Sequence, residues 1–206
     1  MKFITSTLAI LAVVFASANA TAWEVEAGSF GKTFVDRNCS WCHGPSLQGF
    51  TTAPRLAGQR PPYLENQLLS FQTHARNNPL SQQYMWGAAA TLNPEIAREL
   101  AGYLSRLEAE PADNGDSRLA PTGEAIYLQG IQSSNIPACV ACHGPRGEGV
   151  AAIPRIGGLS YHYLKRKLEE WGEGYHAAAL APMPDVASKL SANDIEALAS
   201  YLSFVR

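Results

Sequence analysis

The stretch "CSWCHG" at residues 39–44 returns as "CVACHG" at residues 139–144, which indicates an internally repeated chain. The two stretches contain all four cysteines of the 206-residue sequence. A histidine directly follows each Cys-x-x-Cys pair, and the six residues are Cys39, Cys42, His43, Cys139, Cys142 and His143. Any chemistry assigned to the pattern has to use the histidine as well as the cysteines.

Three common uses of cysteine leave the histidine unexplained. Disulfides need the thiols alone, a redox dithiol needs a strand before the motif, and a zinc site with one Cys₂His set per copy lacks its fourth ligand. Covalent attachment of haem c uses every residue, since the two cysteines bond to one haem edge and the adjacent histidine ligates the iron. The pattern therefore predicts two covalently bound haem c groups.

The repeat extends well beyond the cysteines. When the sequence is shifted by one hundred residues, 12 of the 30 positions from 39 to 68 carry identical residues. A shift of 98 then pairs Met85 with Met183 and most of 100–105 with 198–203. The chain is two copies of one unit, and the Pro-, Gly- and Asp-rich stretch between them predicts domains at 21–110 and 111–206.

The coarse pattern of both copies is helical. Ser191 and Asp194 resemble a capping box at the start of the last helix. Because no segment alternates polar and β-branched apolar residues, we expect an all-α fold with almost no sheet. We predict helices around residues 28–37, from 61, at 93–107, at 122–130, at 160–171 and from 191.

The N-terminal segment has the features of a signal peptide. Lys2 precedes an apolar run at 3–15, and the small residues at 18–20 form a cleavage pattern. We therefore predict that residues 1–20 are removed after Ala20 and that the mature protein is periplasmic. A retained membrane anchor is the alternative, but an apolar run of about 13 residues falls short of the roughly 20 that a spanning helix needs.

Composition and charge argue against a nucleic-acid partner. The chain is 46% hydrophobic and 17% charged, as in folded globular proteins, and its formal net charge is -2. No basic patch is visible. The run at 165–167, Lys-Arg-Lys, is followed by two glutamates and is interpreted as a solvated helix face.

The methionines supply candidates for the sixth iron ligand. Apart from the initiator, the chain contains only Met85 and Met183, which occupy matched positions in the two copies. A thioether at a matched position predicts ligation of iron. The competing residues, none with a matched histidine in the other copy, are His74, His162 and His176, of which His74 is the best alternative.

Other residues recur around each predicted haem. The backbone carbonyls of Pro54 and Pro154, eleven residues after the ligating histidines, could accept from the second ring nitrogen. Four further residues could bind haem propionates, the alternative being surface ion pairs for the arginines and packing for the tyrosines. They are Arg55, Arg155, Tyr63 and Tyr163.

The sequence resembles the dihaem cytochromes c of the cytochrome c4 family. The resemblance rests on "CSWCHGPSLQG" with "APRLAGQRPPYLENQLLSF" in the first copy, and on "IPACVACHGPRGEG" with "IPRIGG" and "APMPDVASKLSANDIEALASYL" in the second. It implies two tandem class I cytochrome c domains, each with a His/Met haem, and it supports Met85 and Met183 as axial ligands. It also implies an electron carrier of the bacterial periplasm.

The expected function is electron transfer between a respiratory donor and a terminal acceptor. The donor would be a quinol-oxidising complex or a periplasmic dehydrogenase, the acceptor a haem-copper oxidase, and association with membrane complexes would be peripheral. No small-molecule substrate is expected. Two alternatives remain: a dihaem enzyme whose first haem has a labile ligand, or a cytochrome subunit of a larger oxidoreductase. Met85 is the ligand expected to be labile, because its surroundings, "QYMWGAA", lack the prolines that flank Met183 in "APMPD".

Overall fold

The protein is described by a computed structural model over residues 30–175 and 182–206. The predicted signal peptide and His176 lie outside these residues. Within them the chain is helical, and the only β contacts are two isolated bridges, between Ile131 and Ile136 and between Val150 and Ile153. The expectation of an all-α fold with almost no sheet is confirmed.

The helices follow the repeat. In the first copy they are α1 at 30–38, α2 (Ser40–His43), α3 (Pro61–Gln72), a π-helical turn (Ser81–Met85), α4 (Trp86–Ala89) and α5 (Pro94–Ser105). In the second copy they are α6 (Ala120–Gln129), a 3₁₀ turn (Gln132–Ser134), α7 (Val140–His143), α8 (Tyr161–Gly172), α9 (Met183–Ala187) and α10 (Ala192–Phe204).

Local sequence signals fix where the long helices begin. Pro61 occupies the first turn of α3, where its missing N–H costs nothing. The side chain of Asn93 caps α5 by accepting from the Ile96 N–H at 2.8 Å. At α10 both halves of the predicted capping box between Ser191 and Asp194 are present.

Each copy has its own hydrophobic core, and matched residues occupy the two cores. The long helices α3 and α5 enclose the first core, and α6, α8 and α10 enclose the second. Matched leucines lie at the centre of both, and they are Leu64, Leu100 and Leu104 in the first and Leu164, Leu198 and Leu202 in the second. The boundary at 110/111 itself stays a prediction.

A glycine sits where the first and last helices of each copy cross. A Cβ added to Gly31 would lie 2.9 Å from the Tyr103 Cβ, and one added to Gly123 would lie 2.0 Å from the Ala197 carbonyl oxygen and 2.7 Å from the Tyr201 Cβ. The two glycines therefore allow close helix packing at equivalent places. They are 92 residues apart, so the hundred-residue alignment does not pair them.

The two glycines are fewer than one hundred residues apart because the second copy has an extra segment before Cys139. Residues 130–138 form the 3₁₀ turn and the bridge between Ile131 and Ile136, and Ile136 is buried. Asn135 adopts the left-handed conformation at φ 54°. The first copy has no counterpart of this segment, so its chain enters the Cys-x-x-Cys-His turn directly from α1.

None of the helices in the described ranges is long and apolar enough to cross a membrane.

The helix crossing predicts a large cost for a single methyl group. Gly123→Ala should lower the free energy of unfolding by about 2 kcal/mol or more, because the new Cβ overlaps the backbone of α10. Chemical denaturation followed by circular dichroism measures the change. Gly102→Ala is the matched control, since its Cβ would meet only Arg106 at 3.7 Å, and it should be neutral or stabilising by up to ~1 kcal/mol. Equal stabilities of the two variants would contradict the close crossing.

Candidate haem sites

The two Cys-x-x-Cys-His motifs form single helical turns, α2 and α7. None of the four cysteines forms a disulfide, and the second cysteine of each motif, Cys42 and Cys142, is exposed. Cys39 and Cys139 are half-buried, and each carbonyl accepts from the N–H of the histidine four residues later at 2.9 Å. Each turn thus has one half-buried and one exposed cysteine.

The histidine of each turn is oriented by the predicted proline carbonyl. His43 Nδ1 lies 2.7 Å from the Pro54 carbonyl oxygen, and His143 Nδ1 lies 3.1 Å from that of Pro154. A carbonyl can only accept, so Nδ1 carries the proton and Nε2 keeps its lone pair. Burial lowers the pKa of both histidines, which favours the neutral ring that binds metal.

A tight loop between histidine and proline recurs in both copies. Gly49 and Gly149 have φ of +82° and +69°, and their N–H groups donate to the carbonyls of His43 and His143 at 2.9 and 2.8 Å. A Cβ at Gly149 would lie 2.3 Å from the Ile153 carbonyl oxygen. Glycine is therefore required at this position for two reasons, the left-handed backbone and the close approach.

The two histidines and the two methionines line one cavity of about 410 Å³. Met85 is the last residue of the π-helical turn, and Met183 is the first residue of α9. Both methionines are half-buried and pack against the core of their own copy. The arrangement brings together the four residues that the sequence predicts as iron ligands.

The alternative histidines lie elsewhere. His74 is exposed, has a positive φ of 61°, and stacks on Trp86 with ring centroids 3.8 Å apart. His162 is exposed and contacts the edge of Tyr161. Neither lines the cavity, and His176 lies outside the described residues.

The charge of the cavity wall fits an anionic, largely apolar group. Five cationic side chains line it, and among the residues that the structure describes no carboxylate does. The Nε atoms of three of these arginines are buried without a hydrogen-bond partner. Haem has an apolar ring and propionate carboxylates, so the wall offers both kinds of surface that it needs. The five residues are Arg55, Arg76, Arg155, Arg166 and Lys167.

Arg55 joins the two copies instead of forming a surface ion pair. Its Nη1 donates to the carbonyls of Glu110 and Gly158 at 2.6 and 2.8 Å, and its Nη2 donates to that of Gly157 at 2.8 Å. Burial and the charge of Arg155 lower the pKa of Arg55 to about 10, so the group stays charged at neutral pH. The proposed propionate role of Arg55 therefore competes with backbone binding.

Gln59 adds a second connection between the copies. Its Nε2 donates to the Arg155 carbonyl at 2.8 Å, and its Oε1 accepts from the Arg155 N–H at 2.7 Å. The backbone of Arg155 is thereby fixed, while its Nε remains buried without a partner. Of the two matched arginines, Arg155 is the one whose Nε atom is buried without a hydrogen-bond partner.

The two matched tyrosines meet across the copies. Tyr63 lies beside Tyr163 and Arg76, and Arg76 Nη2 donates to the Tyr163 hydroxyl at 3.4 Å. Burial raises the pKa of Tyr63, so the phenol is neutral. Both tyrosines line the cavity beside the arginine, and packing and hydrogen bonding occur together here.

One interpretation of the sequence is wrong. The run at 165–167 was expected to be solvated, but Lys167 is only 6% exposed and lines the cavity, and Glu170 is buried beside it. The helical period explains the difference, because Lys167 follows Leu164 by three residues and precedes Trp171 by four. That spacing on the apolar face was the signal in the sequence.

The fold and the site together define a class of protein. A duplicated helical domain with a Cys-x-x-Cys-His turn, a proline-oriented imidazole and a methionine facing the same cavity is the architecture of a c-type cytochrome.

Comparison with known proteins gives the family. The sequence model of the Cytochrome c family matches residues 29–108 and 121–205. The thiosulfate dehydrogenase electron acceptor of Stutzerimonas stutzeri is 37% identical over 176 residues, 81% of this chain and 78% of that protein. The cytochrome c4 of Stutzerimonas stutzeri is 33% identical over 195 residues, 88% of this chain and 89% of that protein.

A solved structure agrees with these relatives. Reduced recombinant cytochrome c4 from Pseudomonas stutzeri superposes with a TM-score of 0.76 at 30% identity, covering 87% of this chain and 98% of that one. The chain belongs to the cytochrome c family, as a dihaem cytochrome of the c4 type. It is an electron-transfer protein with two covalently bound haem c groups.

The connection through Arg55 predicts a stability effect. Arg55→Met should lower the free energy of unfolding by about 3 kcal/mol or more, because three carbonyls lose a charged donor at a cost of ~1–3 kcal/mol each. Arg98→Met is the control, since its ion pair with Glu65 is 3.4 Å long and the arginine is 71% exposed. Denaturant titration of both variants measures the difference, and an unchanged Arg55→Met protein would contradict the role assigned to the guanidinium.

Proposed function

We propose that the protein carries electrons in the periplasm from a periplasmic dehydrogenase to a haem-copper oxidase. Its place as a dihaem electron carrier follows from the family. The periplasmic location rests on the signal-peptide pattern of residues 1–20, with cleavage after Ala20. The observation that carries the proposal is the pair of Cys-x-x-Cys-His turns, which open on one cavity that also receives both methionines.

We propose the ligand set by residue. In the first copy Cys39 and Cys42 form the thioether bonds and His43 and Met85 are the axial ligands, and the matched residues of the second copy are Cys139, Cys142, His143 and Met183. The neutral imidazoles and the half-buried thioethers support this assignment. The π-helical turn that ends at Met85 supports Met85 as an axial ligand, since such turns are frequent at functional sites.

The chemistry of the protein follows from having two axial ligands from the chain at each site. Bound haem iron supplies a one-electron couple between Fe(III) and Fe(II). Because side chains of the protein would hold the iron on both sides, no position would remain for a substrate, and electrons would be exchanged through the exposed edge of the haem. Cys42 and Cys142 are exposed, and Trp41 beside Cys42 is 84% exposed, which supports electron exchange at the attachment edge.

The relatives favour a dehydrogenase as the donor. The chain is more similar in sequence to the thiosulfate dehydrogenase electron acceptor of Stutzerimonas stutzeri than to the cytochrome c4 of that species. We therefore infer that a thiosulfate-oxidising dehydrogenase is the donor. A quinol-oxidising complex is the other donor that the c4 resemblance allows.

The ligand set predicts the effect of removing each methionine. Met85→Ala and Met183→Ala should each lower the reduction potential of one haem only, because loss of the thioether removes the ligand that favours the reduced state. Potentiometric titration with haem staining measures potential and haem content. The unaltered protein should bind no carbon monoxide rapidly, whereas each variant should bind it at one haem.

Three outcomes would contradict the ligand set. They are one haem per chain, unchanged potentials in either variant, and rapid stoichiometric binding of carbon monoxide to one haem of the unaltered protein. The last result would favour the alternative of a dihaem enzyme with an open first site.

The donor is tested by stopped-flow reduction. The oxidised protein, mixed with purified thiosulfate dehydrogenase and thiosulfate, should be reduced faster than with thiosulfate alone, and a haem-copper oxidase should then reoxidise it. The haem absorption bands report both steps. Reduction by a quinol-oxidising complex with no acceleration by the dehydrogenase would replace the proposed donor.

A further inference from the structure

A buried ion pair has one member, Lys167, on the wall of the cavity. Lys167 Nζ is 2.8 Å from Glu170 Oε2, and both side chains are 8% exposed. The Lys167 Nζ also lies 5.4 Å from the centroid of the Trp171 ring. The pair therefore stands in a low-dielectric environment next to the space that the haem groups need.

The pair is hydrogen-bonded to the other copy. Asn78 Nδ2 donates to Glu170 Oε1 at 2.8 Å, and the Ser81 hydroxyl donates to Asn78 Oδ1. Ser81 is the first residue of the π-helical turn that ends at Met85. A continuous chain of contacts thus runs from the lysine of the second copy to the methionine-bearing turn of the first.

The first copy has no such pair. The residues that match Lys167 and Glu170 at a shift of one hundred are Gln67 and Ser70, which are uncharged. Gln67 Oε1 accepts from Arg76 Nη1 at 2.6 Å, and the Ser70 hydroxyl donates to the Asn66 carbonyl in its own helix. The ion pair is therefore a difference between the two halves of the duplicated chain.

The charges around Lys167 oppose one another. Burial, followed by the charge of Arg76 from the first copy, lowers the pKa of Lys167 to about 7, while Glu170 raises it and Arg166 lowers it further. The helices that pack against α8 carry two nearby carboxylates, and each of them pairs with another lysine. Glu196 of α10 pairs with Lys165, and Asp185 of α9 pairs with Lys189. Tyr63, beside Arg76, is neutral because burial raises the pKa of its phenol.

We propose that Lys167, paired with the Glu170 carboxylate that Asn78 also binds, takes up a proton when the second haem is reduced, so that the reduction potential of that haem depends on pH. The inference rests on the proposed haem at His143 and Met183. The proposal concerns the second haem because Lys167 lies in α8 between Leu164 and Leu168. These two leucines belong to the hydrophobic core against which Met183 packs.

The step balances in charge and atoms. The redox donor supplies one electron to the iron, and water supplies one proton to the Lys167 amine, which becomes an ammonium. The two additions leave the charge of the cavity unchanged. An added electron favours the ammonium, so the potential falls as pH rises between the two pKa values that Lys167 has in the oxidised and reduced protein, and is constant outside that window.

The test is a set of potentiometric titrations of the dihaem protein at pH values on both sides of neutrality. In the unaltered protein the potential of the second haem should fall with pH near neutrality, by less than about 59 mV per tenfold change in proton activity. Lys167→Gln, which introduces the residue of the first copy, should abolish this slope. Lys165→Gln is the matched control: it removes the same charge from the same helix, and it should keep the slope.

A second variant keeps the inference testable if Lys167→Gln does not fold. Glu170→Gln should move the sloping window to lower pH, because it removes the carboxylate that stabilises the ammonium. A potential of the second haem that is independent of pH in the unaltered protein, or a slope that persists in Lys167→Gln, would overturn the inference. Haem stoichiometry and carbon monoxide binding, measured on the same samples, separate that failure from a failure of the proposed ligand set.

Discussion

The carbonyl oxygens of Pro54 and Pro154 hold the imidazoles of His43 and His143, and the rest of each site depends on that contact. An imidazole that donates from Nδ1 has its Nε2 fixed in direction and available as a metal ligand. The contact in turn requires the loop between histidine and proline to close tightly, which only a glycine in the left-handed conformation permits. Five of the 12 identities between the copies fall between histidine and proline, and they are His43, Gly44, Pro45, Gly49 and Pro54.

The joint between the copies is made mainly by cations and by backbone carbonyls. Arg55 reaches the carbonyls of Gly157 and Gly158, and Arg166 reaches that of Thr52 at 2.7 Å. Carbonyl acceptors satisfy a guanidinium without neutralising it, so the positive charge of the wall persists next to the cavity. A positive wall would stabilise the propionates of bound haem and would also favour addition of an electron. The same residues therefore connect the domains and influence their redox chemistry.

The sequence was sufficient for the local features and insufficient for the contacts between copies. The sequence predicted the helix starts at Pro61 and Ser191 and the contacts of the prolines with the histidines. Each of these features depends on residues close in sequence. The π-helical turn at 81–85 was not predicted, because no residue type marks it. The contact of Asn78 with Glu170 joins residues 92 apart, and only the packing of the two copies brings them together.

One difference between the two copies lies on the helices that line the cavity. At α3 and α8 core leucines such as Leu64 and Leu164 are matched, whereas Gln67, which lines the cavity, is replaced by Lys167, and Ser70 is replaced by Glu170. A buried ion pair gives little net stability, since desolvation offsets most of the attraction. Its presence in one copy only is therefore better explained by an electrostatic difference between the two sites than by a need of the fold. Two haems with different potentials give a carrier a preferred direction for the electron between its entry and exit sites, which two identical domains could not provide.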